Sequence, residues 1–180
     1  SANPYYVTAL SDRYGQTGLG PQRADQMVRL ADVEGAGVSW SLHSDMPMAP
    51  GDPLFLMWCA VNRVTSSGRV AGENQRVSAE QALRGVTINA AWSHRLENER
   101  GSIEPGKLAN FTILDENPIT VDPMTIKDIG VWGTVMEGRV QKVPASDQKE
   151  TKAPTWGGRE GKDFAQRALH HAIAVVHAHL

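Results

Sequence analysis

The sequence predicts an α/β protein, with helices interleaved with a strand up to about residue 100 and a mainly β segment after it. Three observations predict this. Residues 21–34 carry apolar side chains at helical spacing, and the alternating stretch 38–45 follows after only a few residues. A short helix-to-strand connection of this kind fits a repeating β/α architecture. Two further helix starts are written into Asp52-Pro53 and Ser78-Ala79-Glu80-Gln81. After Gly101 the helical period gives way to β-rich runs flanking Glu137-Gly138, the pattern of a hairpin. The chain therefore divides into residues 1–100, a β segment 101–143, a linker 144–162 and a C-terminal helix 163–180.

In chain order, the helix over 21–34 comes first. Pro21 suits its first position, where a missing N–H costs nothing. Ala24, Met27, Val28 and Ala31 fall on one face, and Gly35 and Gly37 end the helix. In 38–45, Val38, Trp40 and Leu42 share one side of a strand, and Ser39, Ser41, His43 and Asp45 share the other. Pro47, Pro50 and Gly51 make a turn-rich stretch, after which Asp52 caps a helix with Pro53 at its first position. The apolar face of that helix carries Leu54, Met57, Trp58 and Val61. Residues 66–74 read as a polar loop. Ser78 and Gln81 form a capping box for the next helix, and Thr87 caps another that runs to about Leu96. Residues 108–114 read as a strand, and 131–136 with 139–143 as the hairpin arms. The segment from 144 is rich in Lys, Gly and Pro, as linkers are. Phe164, Leu169, Ile173 and Val176 then form an approximate helical stripe.

The bulk numbers exclude several classes. The chain has 180 residues, room for one ordinary domain, with 41% hydrophobic and 21% charged residues. A net charge of -2 gives no basic surplus for nucleic acid. No stretch reaches the roughly 20 apolar residues a membrane span needs. Cys59 is the only cysteine, so no intrachain disulfide forms. It lies in an apolar run and reads as core, compatible with a reducing, cytoplasmic setting. Residues 1–6 lack the basic start and apolar stretch of a signal peptide, and there is no initiator methionine. The chain is thus expected to begin inside a longer protein, where an upstream export signal would be out of view.

Asp45 is the leading candidate for chemistry. It ends the strand 38–45, just before the chain is broken by Pro47 and Pro50. A carboxylate at the C-terminal end of a barrel strand points into the mouth where barrel enzymes keep their sites. There it can bind a divalent metal and take a proton from metal-bound water. Read without further context, the same residue is ordinary turn chemistry. His43, two residues earlier, shares the side of Asp45 and could lie beneath it as a hydrogen-bond partner, or be a packed histidine satisfied by its neighbours. His177-Ala178-His179 copies a His-x-His ligand pair only superficially, because residues two apart on a helix point away from each other.

The run His43-Ser44-Asp45-Met46-Pro47-Met48 resembles the strand-8 segment of the metal-dependent amidohydrolase superfamily, and is most similar to the branch that includes the N-substituted formamide deformylases. The resemblance continues through Pro50-Gly51-Asp52-Pro53-Leu54, Ala60-Val61-Asn62-Arg63, Arg76-Val77-Ser78 and Ala82-Leu83. It runs on through Gly101-Ser102-Ile103-Glu104-Pro105-Gly106-Lys107-Leu108-Ala109, its most specific piece, and ends in Thr134-Val135-Met136-Glu137-Gly138-Arg139-Val140. It covers roughly residues 3–143.

The resemblance implies a C-terminal remnant of a (β/α)8 barrel followed by part of a small β-sandwich. Residues 1–45 would be the end of strand 7, its loop, helix 7 and strand 8. Tyr5, Tyr6, Asp12 and Arg13 would lie in that loop, which shapes substrate pockets. It also implies a divalent metal, commonly zinc, in the full-length protein, with Asp45 as metal ligand and proton shuttle. The histidines of strands 1, 5 and 6 have no counterpart here, and one carboxylate does not hold a catalytic zinc. Asn110 stands where the family usually has Asp, and is expected to serve a turn or cap. The expected function is a hydrolase of C–N bonds in amides, formamides or cyclic amides acting on a small molecule, inactive as this piece alone. The alternative is a non-catalytic association module, since a barrel remnant leaves unpaired edges that a missing N-terminal segment or a second copy would cover.

Overall fold

A computed structural model describes residues 1–144 and 174–175. Six helices lead the chain: α1 (Tyr5–Gln16), α2 (Pro21–Asp25), α3 (Leu30–Gly35), α4 (Pro53–Asn62), α5 (Ala79–Val86) and α6 (Ile88–Ser93). Four strands follow: β1 (Phe111–Leu114), β2 (Val131–Met136), β3 (Arg139–Lys142) and β4 (Ala174–Val175). They form one antiparallel sheet in the order β3-β2-β1-β4.

Helix α4 is the centre of the core. Asp52 caps it as expected, its Oδ1 accepting from the Leu54 and Phe55 N–H groups at 3.0 and 3.2 Å. An amphipathic stripe is too narrow a description, because every residue from Leu56 to Asn62 is buried. One apolar cluster gathers Trp40 and Leu42, the α4 face, Ala82 and Val86 of α5, and Leu114, Ile126 and Ile129 from beyond Gly101. Polar ties run the same way: Trp58 Nε1 donates to the Met124 carbonyl at 3.0 Å, and Asn62 Nδ2 to that of Pro123 at 2.8 Å.

The capping box of α5 is complete, with Gln81 N–H donating to Ser78 Oγ and Ser78 N–H to Gln81 Oε1. Thr87 precedes α6 but does not cap it, since its hydroxyl turns back to the Leu83 carbonyl at 2.7 Å. The β2–β3 hairpin turns on Glu137-Gly138 at φ of 49° and 81°, the left-handed pair that a two-residue turn requires. Asn110, expected to serve a turn or cap of its own, instead braces the hairpin turn from 27 residues away, its Oδ1 accepting from Glu137 N–H at 2.8 Å.

Two further sequence expectations need correction. The helix over 21–34 is two helices, parted at residues 26–29 with Val28 at φ 53°. The carbonyls of Asp25, Met27 and Val28 turn to the buried Arg63 guanidinium instead of continuing the helix. Residues 5–16, read as loop, form α1. Its inner face is Val7, Ser11 and Gly15, small residues that bring it close to α2. Ser11 Oγ donates to the Ala24 carbonyl, and a Cβ at Gly15 would lie 3.5 Å from Pro21 Cα. The C-terminal helix over 163–180 falls outside the described residues except at Ala174–Val175, which are strand β4 paired with β1.

Candidate functional site

The stretch leading to Asp45 is anchored from below. Gly37, at φ 69°, closes α3 with Gly37 N–H on the Glu34 carbonyl and Val38 N–H on that of Val33, a Schellman stop. Trp40 then packs directly on Gly85, where a Cβ would come within 2.6 Å of the indole. Trp40 Nε1 donates to Glu34 Oε2 at 2.6 Å, and Leu42 N–H to the Gly85 carbonyl at 3.0 Å. Trp40 and Leu42 are buried as the alternation predicts, whereas Val38 is 56% exposed. Among the described residues, strand pairing of this stretch is limited to one parallel bridge, Ala2 with Leu42. Ala2 N–H donates to the Ser41 carbonyl at 2.9 Å, and His43 N–H to the Ala2 carbonyl at 3.0 Å.

Asp45 sits where this stretch ends and the 45–48 turn begins, at φ 54°, with Met48 N–H on its carbonyl at 2.7 Å and a cis Met46–Pro47 peptide in the turn. Its carboxylate is exposed. Tyr6, in the first turn of α1, donates its hydroxyl to Asp45 Oδ2 at 3.1 Å. That hydrogen bond, then burial and the carboxylate charge, raise the Tyr6 phenol above its ordinary pKa of 10.0. Asn3 completes the clasp. It is buried, donates Nδ2 to the Ser44 carbonyl at 2.9 Å, and accepts from Tyr5 N–H at 3.0 Å. Sequence reasoning passed over Asn3, although Asn-Pro ahead of a helix is a turn signal with a side-chain mechanism.

Among the other candidates, His43 is half-buried and its imidazole makes no hydrogen bond among the described residues. Tyr5 packs its ring against Phe55 at 5.7 Å between centroids. Asp12 is structural. It accepts from Ser66 Oγ, Ser67 N–H and Arg69 Nε, and so fastens α1 to the loop after α4. Arg13 is exposed. Cys59 is fully buried, and burial pushes its thiol up to about 11, so it is no nucleophile at neutral pH. His177 and His179 lie outside the described residues.

Among the described residues no group of three or more His, Cys, Asp or Glu side chains is placed to hold a metal ion. A catalytic zinc takes about three protein ligands and a water. Asp45 offers one carboxylate, so these residues do not by themselves fit such a centre.

The chain belongs to the amidohydrolase family, whose sequence pattern it matches over residues 3–141. It is 39% identical over 103 residues to the N-substituted formamide deformylase of Arthrobacter pascens, a match covering 57% of this chain and 19% of that protein. It is 30% identical over 99 residues to the 5-methylthioadenosine/S-adenosylhomocysteine deaminase of Teredinibacter turnerae, covering 55% of this chain and 22% of that one. In fold it is similar to an uncharacterized metal-dependent hydrolase from Pyrococcus horikoshii, with a TM-score of 0.53 at 21% identity over 68% of this chain and 25% of that structure. The chain thus spans between 19% and 25% of the length of these relatives.

Proposed function

We propose that this chain is the C-terminal part of a metal-dependent hydrolase that cleaves C–N bonds in amides, formamides or cyclic amides, with Asp45 contributing one carboxylate to a metal centre. The other ligands, like most of the substrate pocket, lie outside the described residues. The observation that carries the reading is the placement of Asp45: an exposed carboxylate at the end of an extended stretch with a parallel neighbour, held by Tyr6. A parallel Ala2–Leu42 bridge is what two adjacent strands of a (β/α)8 barrel would leave within this chain. The antiparallel sheet after Gly101 is what part of an accompanying β-sandwich would leave. His43 stays in the proposal as a residue beneath Asp45 whose imidazole is free to pair with a metal-centre residue from elsewhere.

The test is Asp45→Asn in the full-length gene product, assayed with N-substituted formamides, the substrates named for the Arthrobacter relative. Loss of a positioned acid–base group predicts a fall in kcat of roughly a thousandfold, with bound metal reduced and the fold retained by circular dichroism. Hydrolysis close to that of the unaltered protein would refute the role of Asp45.

A second reading, association, is favoured by exposed apolar side chains: Val38 at 56%, Trp92 at 56% and Ile103 at 61%. Every β3 residue is also exposed. The two readings are compatible, since a piece of an enzyme can associate without being active.

A further inference from the structure

We propose that the cleft between the end of α3 and the α5–α6 pair binds a small zwitterion, an α-amino acid with an apolar side chain. The cleft has a volume of about 200 Å3, and its walls include Glu34, Val38, Ser39, Gln81, Arg84 and Asn89. It opens at the start of the stretch that ends in Asp45, is lined by neither Asp45 nor Tyr6, and requires no metal. Its walls carry both charges without pairing them. The Arg84 side chain makes no hydrogen bond or ion pair among the described residues, with Glu34 or with any other group. The Asn89 amide and the Ser39 hydroxyl are also without partners among the described residues. Glu34 uses only Oε2, which accepts from Trp40 Nε1 at 2.6 Å, and keeps Oε1 for a second donor.

The fold sets these walls in place before a ligand enters. Gly37, at φ 69°, turns the chain out of α3 and brings Val38 and Ser39 to the cleft. Buried Trp40 packs on Gly85 and holds Glu34 by its indole N–H, so the carboxylate cannot swing to Arg84 without stranding a buried donor. Gln81 and Arg84 lie one turn apart on the same face of α5. The capping box takes Gln81 Oε1 for Ser78 N–H and leaves the Gln81 Nε2 donor over. Glu34 thus stands on the α3 side, and Arg84 with two amides on the α5–α6 side. Such a gap matches a molecule that carries opposite charges a few bonds apart. The ligand carboxylate would take the forked guanidinium of Arg84, a pairing that is both strong and directional. Its ammonium would donate to Glu34 Oε1, and Val38, 56% exposed, would meet its apolar side chain. Groups held in advance lower the ordering cost of binding.

Isothermal titration calorimetry of the full-length gene product with L-valine, isovalerate and isobutylamine tests this. The three share a carbon skeleton and differ in which charges they carry. L-valine is expected to bind once per chain with a Kd of about 0.1–1 mM, as suits a ligand of few atoms. Each singly charged analogue should bind roughly tenfold or more weakly, the loss of one charge-assisted hydrogen bond. Arg84→Gln and Glu34→Gln should each weaken L-valine by about the same factor. Both should keep the fold by circular dichroism, because Arg84 is exposed and a glutamine at 34 still accepts from Trp40. Glu34→Gln should leave isovalerate no weaker, since that analogue has no ammonium, whereas a general loosening of the cleft would weaken all three probes. Absence of saturable L-valine binding would overturn the proposal, as would equal affinity for L-valine and isovalerate. So would L-valine affinity unchanged in Arg84→Gln and Glu34→Gln, which would put the ligand elsewhere.

Discussion

Arg63 is 1% exposed and spends its guanidinium entirely on main-chain carbonyls: Ala71 at 2.6 Å, and Val28, Asp25 and Met27 at 2.9 Å each. Burial pulls its pKa down to about 10, which still leaves it charged at neutral pH. The fork shape of the side chain lets one residue serve three acceptors where α2 stops and α3 starts and a fourth, the Ala71 carbonyl, in the loop after α4. Replacing Arg63 with Met keeps the apolar bulk but removes the partner of the Asp25, Met27 and Ala71 carbonyls, while that of Val28 keeps Leu30 N–H. The expected loss is about 3–5 kcal/mol, read as a lower urea midpoint at constant m-value. Arg63→Lys should recover only part of it, because an ammonium cannot span the four positions. Nothing in hydrophobic periodicity announces such a residue. It stood inside the Ala60–Arg63 match as an identity without a role, and its role is defined by carbonyls some 35 residues earlier in the chain. Asp45 was more legible, since a carboxylate after an alternating stretch and before prolines has a local signature. Its partner Tyr6 had none.

Among the elements, those with local signatures matched. The Asp52-Pro53 start and the Ser78–Gln81 box each satisfy their own backbone donors, so a few neighbouring residues decide them. Helix α1 escaped notice because its inner face is Val7, Ser11 and Gly15, a stripe of small residues and not of large apolar ones. Its attachment is partly electrostatic. Arg69 joins Asp12 of α1 at 2.8 Å and Asp25 of α2 at 2.7 Å. Desolvation pushes the Asp12 carboxyl up, but hydrogen bonds from the 65–67 loop and from Arg69 outweigh it and hold the group well below its ordinary value of 3.8. A carboxyl depressed in the folded state stabilises fully above its unfolded pKa and loses that contribution as pH falls through the folded value. Asp12→Asn should therefore be less stable than the unaltered protein at pH 6, with the gap narrowing below pH 3.8. Urea midpoints of both proteins at the two pH values measure this, and a gap independent of pH would dissociate Asp12 from acid sensitivity.

For the whole molecule, the boundary near Gly101 that composition suggests is one of secondary structure, not of packing. Leu114, Ile126 and Ile129 share a core with α4, and Trp58 and Asn62 bond across to Met124 and Pro123. Exposed Val38, Trp92 and Ile103 and the bare β3 edge are surfaces that the association reading would cover. Light scattering on the 180-residue chain should then give a mass above that of one copy. A monodisperse single copy that also ignores added segments of the same gene product would count against association.

The sequence alone determined the α/β class, the capped helices α4 and α5, the hairpin at Glu137-Gly138 and the family. Each depends on periodicity, on capping within a few residues, or on an ordered set of short motifs. Only the tertiary structure decided that residues 21–34 break in two around Arg63, that α1 exists and rests on α2, and that Tyr6 and Asn3 hold the Asp45 turn. Those outcomes rest on contacts between residues far apart in the chain, where a buried carbonyl or a rotating carboxylate takes whichever partner the packing brings within 3 Å or so.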